Sequence, residues 1–432
     1  MNKPTKIAQQ AAVARTNHAD RIRSVVSPLG IEAWLVEDYT VPIIAVEGLI
    51  EGGTSQDPAE RAGLLHCLMG ALDEGAGPYD STAFQERLDD FAIELSFGAD
   101  RDHASFHLRT LARHSDEAFD MLRLALTEAR LDSDSVERVR AQIMAGLRHE
   151  STDPDVMAHR AWFATAFGDH PYGRSSKGTL ESVPEISRAD LDRTRETLLN
   201  RSKLHLVVVG AIDPDSLARV LDDVFGPLPA LSGVKPVALM QPMAIGTRKV
   251  IDLDVPQASI RFGAAGLART DPDFVAATVV NHILGGGVFS SRLFREVREK
   301  RGLAYSVSSH LAPFAHGPLH MGGTSTKNER AAESIAIIEQ EISSLAHDGP
   351  NEQELSTAKN YLIGSYALRL DTSAKLASQL VHIKAHGLGR SYLDERNGLV
   401  AAVSLEDAVR TAKRLYGAGE LLTVVVGRPV GL

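Results

Sequence analysis

"VPIIAVEGLIEGG" at residues 41–53 returns in altered form as "VPQASIRFGAAGL" at 255–267, an offset of 214 from Val41 to Val255. Two further pairs keep that order and nearly that spacing. "LHLVVVGAIDPDSL" from Leu204 matches "LLTVVVGRPVGL" from Leu421 at an offset of 217, and "LDSDSVERVRAQIMAGL" from Leu131 matches "PNEQELSTAKNYLIGSY" from Pro350 at 219. Similar features in one order at one period mark an internal duplication. The repeat divides the chain into a first domain at 1–228 and a homologous second domain at 247–432. Between them, 229–246 lies in a stretch rich in proline and glycine that reads as a linker.

Each half has the same coarse plan. Alternating, strand-like segments such as 31–49 and 259–266 lead into a buried helix and then back to strand. "ELSFGADRDHASFHLRTLA" reads as a hairpin turning at 100–102, and 115–128 and 133–150 carry long helical patterns before a final "VVVG" strand. Strands and helices grouped this way predict an α+β fold, with helices packed on one face of a mainly antiparallel sheet in each half.

Composition narrows the function. The 432 residues include 46 basic and 56 acidic side chains, a formal charge of −10 that argues against nonspecific nucleic-acid binding. No run reaches the roughly eighteen apolar residues of a membrane span, so the chain reads as soluble. The single cysteine, Cys67, excludes an internal disulfide framework. The N-terminus has basic residues and an Ala12-Val13-Ala14 resembling a signal-peptidase site, without the apolar region that should lie between them. Bacterial cytoplasm and periplasm both stay open.

Two stretches carry candidate chemistry. "RAGLLHCLMGALDEGAG", 61–77, is an apolar helical run around His66, with Gly70 four residues on, where a second ligand on the same face would stand. Cys67 cannot chelate beside His66, because helical neighbours point about 100° apart. His103 and His107 lie on a strand, where four residues span about 13 Å, too far to share an ion. In "SSRLFREVREKRGLAYSVSSH", Leu293, Phe294 and Val297 suit an amphipathic helix whose basic end, Arg298, Lys300 and Arg301, complements its dipole. Gly302 should end that helix and a strand should begin near Leu303, a turn that brings Arg298 towards Tyr305. Gly285, Gly286 and Gly287 lack the Lys-Ser/Thr of a phosphate-binding loop and read as a flexible loop before the helix.

The duplicated plan, with "EGGTSQDPAERAGLLH", "HPYGRSSKGTLESV", "NHILGGGVFSSRLFREVREKRGLAYSV" and "GSYALRLDTSAKLA", resembles the pitrilysin/insulinase family of zinc peptidases in its processing-peptidase-like branch, from about Ile22 to the final "VVVGRP". Active members carry an inverted H-x-x-E-H motif, in which two histidines on one helical face bind zinc and the glutamate serves as base. Here those positions read His66, Met69 and Gly70, and the region of the third ligand, a glutamate, reads Met-Ala-Gly-Leu at 144–147. The resemblance therefore implies no metal on this chain. It also assigns Arg298 and Tyr305, or Arg301 in place of Arg298, to the pair that binds the peptide carbonyl and its oxyanion, and gives Gly285 to Gly287 a role in substrate contact. The implied assembly is a heterodimer with a homologous zinc-binding subunit, acting on peptides or unfolded polypeptides. The alternative is an inactive scaffold or peptide-binding homologue.

Overall fold

The computed structural model describes residues 19–287, 289–417 and 419–432. The Ala12-Val13-Ala14 stretch lies outside the described residues. Six strands form the first sheet: β1 (Ile22–Val26), β2 (Glu32–Glu37), β3 (Ile43–Glu51), β4 (Glu94–Ala99), β5 (His103–Leu111) and β6 (Leu204–Gly210), in the order β1-β2-β6-β3-β5-β4. Five form the second: β7 (Arg248–Ile251), β8 (Gln257–Ala265), β9 (Ala304–Ala312), β10 (Leu319–Lys327) and β11 (Leu422–Val426), in the order β7-β11-β8-β10-β9. Without β1, the two orders are the same permutation, as a duplication requires. Each sheet is mixed: β2 with β6 and β7 with β11 run parallel, and every other pair is antiparallel. The hairpin turn at 100–102 and the helix Ser133–Glu150 stand where the sequence places them.

Equivalent strand pairs solve one packing problem in mirror fashion. Gly48 on β3 faces Phe106 on β5, whereas Phe262 on β8 faces Gly322 on β10. Either ring lies over the bare glycine: a Cβ on Gly48 would sit 2.0 Å from Phe106 Cζ, and one on Gly322 would sit 2.2 Å from Phe262 Cζ. A large and a small residue have exchanged strands with the local volume kept.

The α+β architecture has a feature the sequence does not announce. Each half's own helices cover one face of its sheet, and part of the other face receives a helix from the opposite half. Helix Pro154–Phe167 crosses onto the second sheet, where Trp162 and Phe163 pack with Leu319, Met321, Leu422 and Val424. There Trp162 Nε1 donates to the Leu422 carbonyl at 2.9 Å, and Asp155 bonds Ser259 Oγ at 2.8 Å and the Arg261 guanidinium. Helix Ser373–Ala385 makes the reciprocal move, packing Ala377, Leu380 and Val381 against Trp34, Val36, Leu49 and Val207. Residues 226–247 contain no helix or strand, yet they are fixed along the body. Lys235 N donates to Gln56 Oε1 at 2.7 Å, and Met243 N donates to the Ala166 carbonyl at 2.7 Å. Among the described residues, no helix is long and apolar enough to cross a membrane.

Candidate functional site

The helix around His66 is short, Leu64–Met69, and Asp57 holds its first turn by accepting N–H from Gly63 at 2.9 Å and from Leu65 at 3.1 Å. Leu65, Cys67, Leu68 and Met69 are buried in the first core, so Met69, at the position of the family's base, faces apolar neighbours. His66 is half-buried, and burial together with the nearby Lys177 ammonium lowers its pKa, against the pull of Glu150. Glu150 is itself held by Lys177 Nζ and Arg160 Nη2, each at 2.5 Å. Gly70 is exposed and offers no donor, and at Gly146 a Cβ would meet open space. Among the described residues, no group of three or more His, Cys, Asp or Glu is placed to hold a metal. These donors do not fit a tetrahedral zinc site.

His103 and His107 go to separate partners. His107 Nδ1 bonds the Glu47 carboxylate across the β3–β5 pair, and His103 pairs with Asp100 in the hairpin turn.

In the second half, Gly285 and Gly286 occupy the π-helical turn His282–Gly286 rather than the expected flexible loop. The reason is close packing. A Cβ on Gly285 would lie 2.5 Å from Ser309 Oγ, and one on Gly287 would lie 2.8 Å from His282 Nε2. Gly285 and Gly287 are buried, and Gly286 is exposed.

The next segment, Phe294–Glu299, is also π-helical, with Leu293, Phe294 and Val297 turned into the core as their spacing predicts. Gly302 takes a φ of +59°, which a side chain rarely adopts, and the chain reverses into β9. That reversal sets the Arg298 guanidinium carbon 4.6 Å from the centroid of the Tyr305 ring and 4.9 Å from that of Phe294. Tyr305 is 82% exposed. The choice between the two arginines follows from Glu296, which is 8% exposed. Its carboxylate takes Lys300 Nζ at 2.7 Å and Arg301 Nη1 at 2.7 Å, and Arg301 also donates to the Glu296 carbonyl. These bonds to Lys300 and Arg301 hold the Glu296 pKa down to about 2. Arg301 is thus committed to Glu296, and the guanidinium beside Tyr305 is that of Arg298.

Sequence reasoning missed two contributors. Phe294, four residues before Arg298 on its helical face, supplies a second ring beneath the guanidinium. Phe289, 73% exposed, packs edge-on to Phe294 at 5.2 Å and extends the aromatic surface. The i, i+4 spacing of Phe294 and Arg298 is the signal that could have found the first.

Comparison with known proteins gives the family and the fold. Residues 35–180 match the family model described as Insulinase (Peptidase family M16), and 185–362 match the one described as Peptidase M16 inactive domain. A non-peptidase homolog, YmxG, of Helicobacter pylori is 28% identical over 342 residues, 78% of each chain. An uncharacterized zinc protease of Streptomyces coelicolor is 27% identical over 380 residues, 87% of this chain and 82% of its own. The crystal structure of a peptidase M16 inactive domain from Pseudomonas fluorescens has the same fold, with a TM-score of 0.89 at 24% identity, covering 95% of this chain and 98% of that one.

Proposed function

The chain belongs to the insulinase family of peptidases as a member whose metal-binding face is degenerate, and from that premise we propose that it is the noncatalytic, Arg/Tyr-bearing subunit of a heterodimeric zinc endopeptidase. The observation that carries the reading is the Arg298–Tyr305 pair: an exposed phenol stacked with a guanidinium that no carboxylate among the described residues neutralises. Two such donors suit the carbonyl oxygen of a bound peptide and the negative charge that develops on it. This chain has Met69 and Gly70 where the family has its base and second histidine, so the metal and the base would come from a homologous partner carrying H-x-x-E-H in its own first half. The substrate is a peptide or unfolded polypeptide. Contact with it from the glycine run falls to Gly286, whose two glycine neighbours are buried.

The test is reconstitution with such a partner. Arg298→Ala or Tyr305→Phe should leave heterodimer formation intact by size-exclusion chromatography and lower turnover by roughly ten- to a thousandfold, the range for loss of one oxyanion donor. Turnover unchanged in both variants would overturn the proposal. A second reading, an inactive scaffold or peptide-binding protein, is favoured by the name of the Helicobacter relative, a non-peptidase homolog. It predicts peptide binding or assembly that is indifferent to both substitutions.

A further inference from the structure

A cavity of about 450 Å³ opens among helix Phe274–Asn281, the exchanged helix Ser373–Ala385, helix Tyr392–Ala402 and the far end of β9. Its charge is one-sided: Arg269, Arg369 and Arg396 line it, and among the described residues no aspartate or glutamate does. The guanidinium carbon of Arg269 lies 4.6 Å from the Phe274 ring centroid and 4.8 Å from that of Tyr392, so two rings flank the cation while it has no carboxylate partner among the described residues. The nearest acids in sequence, Asp271 and Asp273, are taken by Arg410 and Arg414 at 2.6–2.7 Å. Arg396 stacks on Tyr366 at 4.5 Å and spends one nitrogen on the Leu362 carbonyl and Asn397. His382 and His386 line the same wall with ring centroids 6.5 Å apart, and burial and the Arg269 charge push the His386 pKa down to about 4.

Other inward-turned arginines of this acidic chain do meet carboxylates. Arg292, for example, is bidentate to Glu354 at 2.7 Å. Partly buried cations left without a counter-charge raise the energy of the empty site, and an anion that fills it recovers that energy. The volume lies in the range of small-molecule sites, and ring-flanked guanidinium groups suit planar or tetrahedral oxyanions.

We propose that this cavity binds a small organic anion with at least two phosphate or carboxylate groups, gripped by Arg269, Arg369 and Arg396, with Tyr366 and Tyr392 against its carbon skeleton. The proposal is independent of the role given to Arg298 and Tyr305, since neither lines the cavity. Isothermal titration of the whole chain with inorganic pyrophosphate and with citrate, at about 50 mM salt to limit screening, tests it and separates the two oxyanion classes. One site of submillimolar affinity is expected for at least one probe. Arg269→Gln and the exposed Arg369→Gln should each weaken it at least about tenfold, with Arg330→Gln, a surface change outside the cavity, as the control. No binding of either probe up to about 10 mM, or equal weakening in the control, would overturn it.

Discussion

At the scale of single residues, Glu296 decides which guanidinium is free, and its chemistry gives the pH dependence of the site's support. Its folded pKa is depressed to about 2 from an ordinary 4.5, so the stabilisation from Lys300 and Arg301 is present above pH 4.5 and is lost as pH falls through about 2. Chemical denaturation of the wild-type chain and of Glu296→Gln should show a stability gap that is full at pH 6 and narrows between pH 4.5 and 2. A gap constant with pH would mean that the carboxylate works by shape alone. The erased metal face supports a second expectation. Gly70→His would point a new Cβ towards Val139 Cγ1, 3.3 Å away, beside a buried Met69 and with no carboxylate from Ala145 or Gly146. Metal analysis of that variant should still find no stoichiometric zinc.

At the scale of elements, the mirrored glycine and phenylalanine pairs bind strand register to core volume. Phe106 is fully buried, and Gly48 beneath it cannot take a methyl group without moving the ring, so Gly48→Ala should cost about 1–3 kcal/mol. Phe106→Leu in the same chain should recover part of that loss by urea denaturation, because the two residues share one volume. Strict additivity would count against the shared-volume account. Much at this scale is legible in the sequence. Alternation predicts the hairpin of β4 and β5, and the apolar spacing of 293–297 with Gly302 predicts the reversal that brings Arg298 to Tyr305. The π-helical windings at 282–286 and 294–299 are not legible, because they answer to neighbours distant in the chain, such as Ser309 against Gly285.

At the scale of the whole molecule, the duplication is plain from three repeated stretches, whereas the exchange of helices is not. The buried residues Ala158, Trp162, Phe163 and Ala166 show only that the helix has an apolar face; nothing local says which sheet receives it. The exchange has a thermodynamic consequence. Removing either half would uncover apolar surface on the other, so the two sheets should unfold together despite separate strand sets. The protein carries its own reporters, since it has just two tryptophans, and each sits at one exchange contact. Trp34, on β2, packs with Leu380 of the helix arriving from the second half, and Lys384 Nζ lies 5.0 Å from its ring. Trp162 rides the helix that departs from the first half and bonds the β11 backbone. In single-tryptophan variants made by Trp162→Phe and Trp34→Phe, fluorescence should therefore report one coincident urea transition from both sites, each variant scaled to its own far-UV circular dichroism. Trp162→Ala should lower the midpoint by an amount corresponding to about 3–5 kcal/mol while the fluorescence of the remaining Trp34 and the far-UV circular dichroism still change together, since the cavity it leaves weakens a contact both halves share. Two resolved transitions in the single-tryptophan variants would show that each half closes a sufficient core by itself, and the exchanged helices would then be packing without coupling.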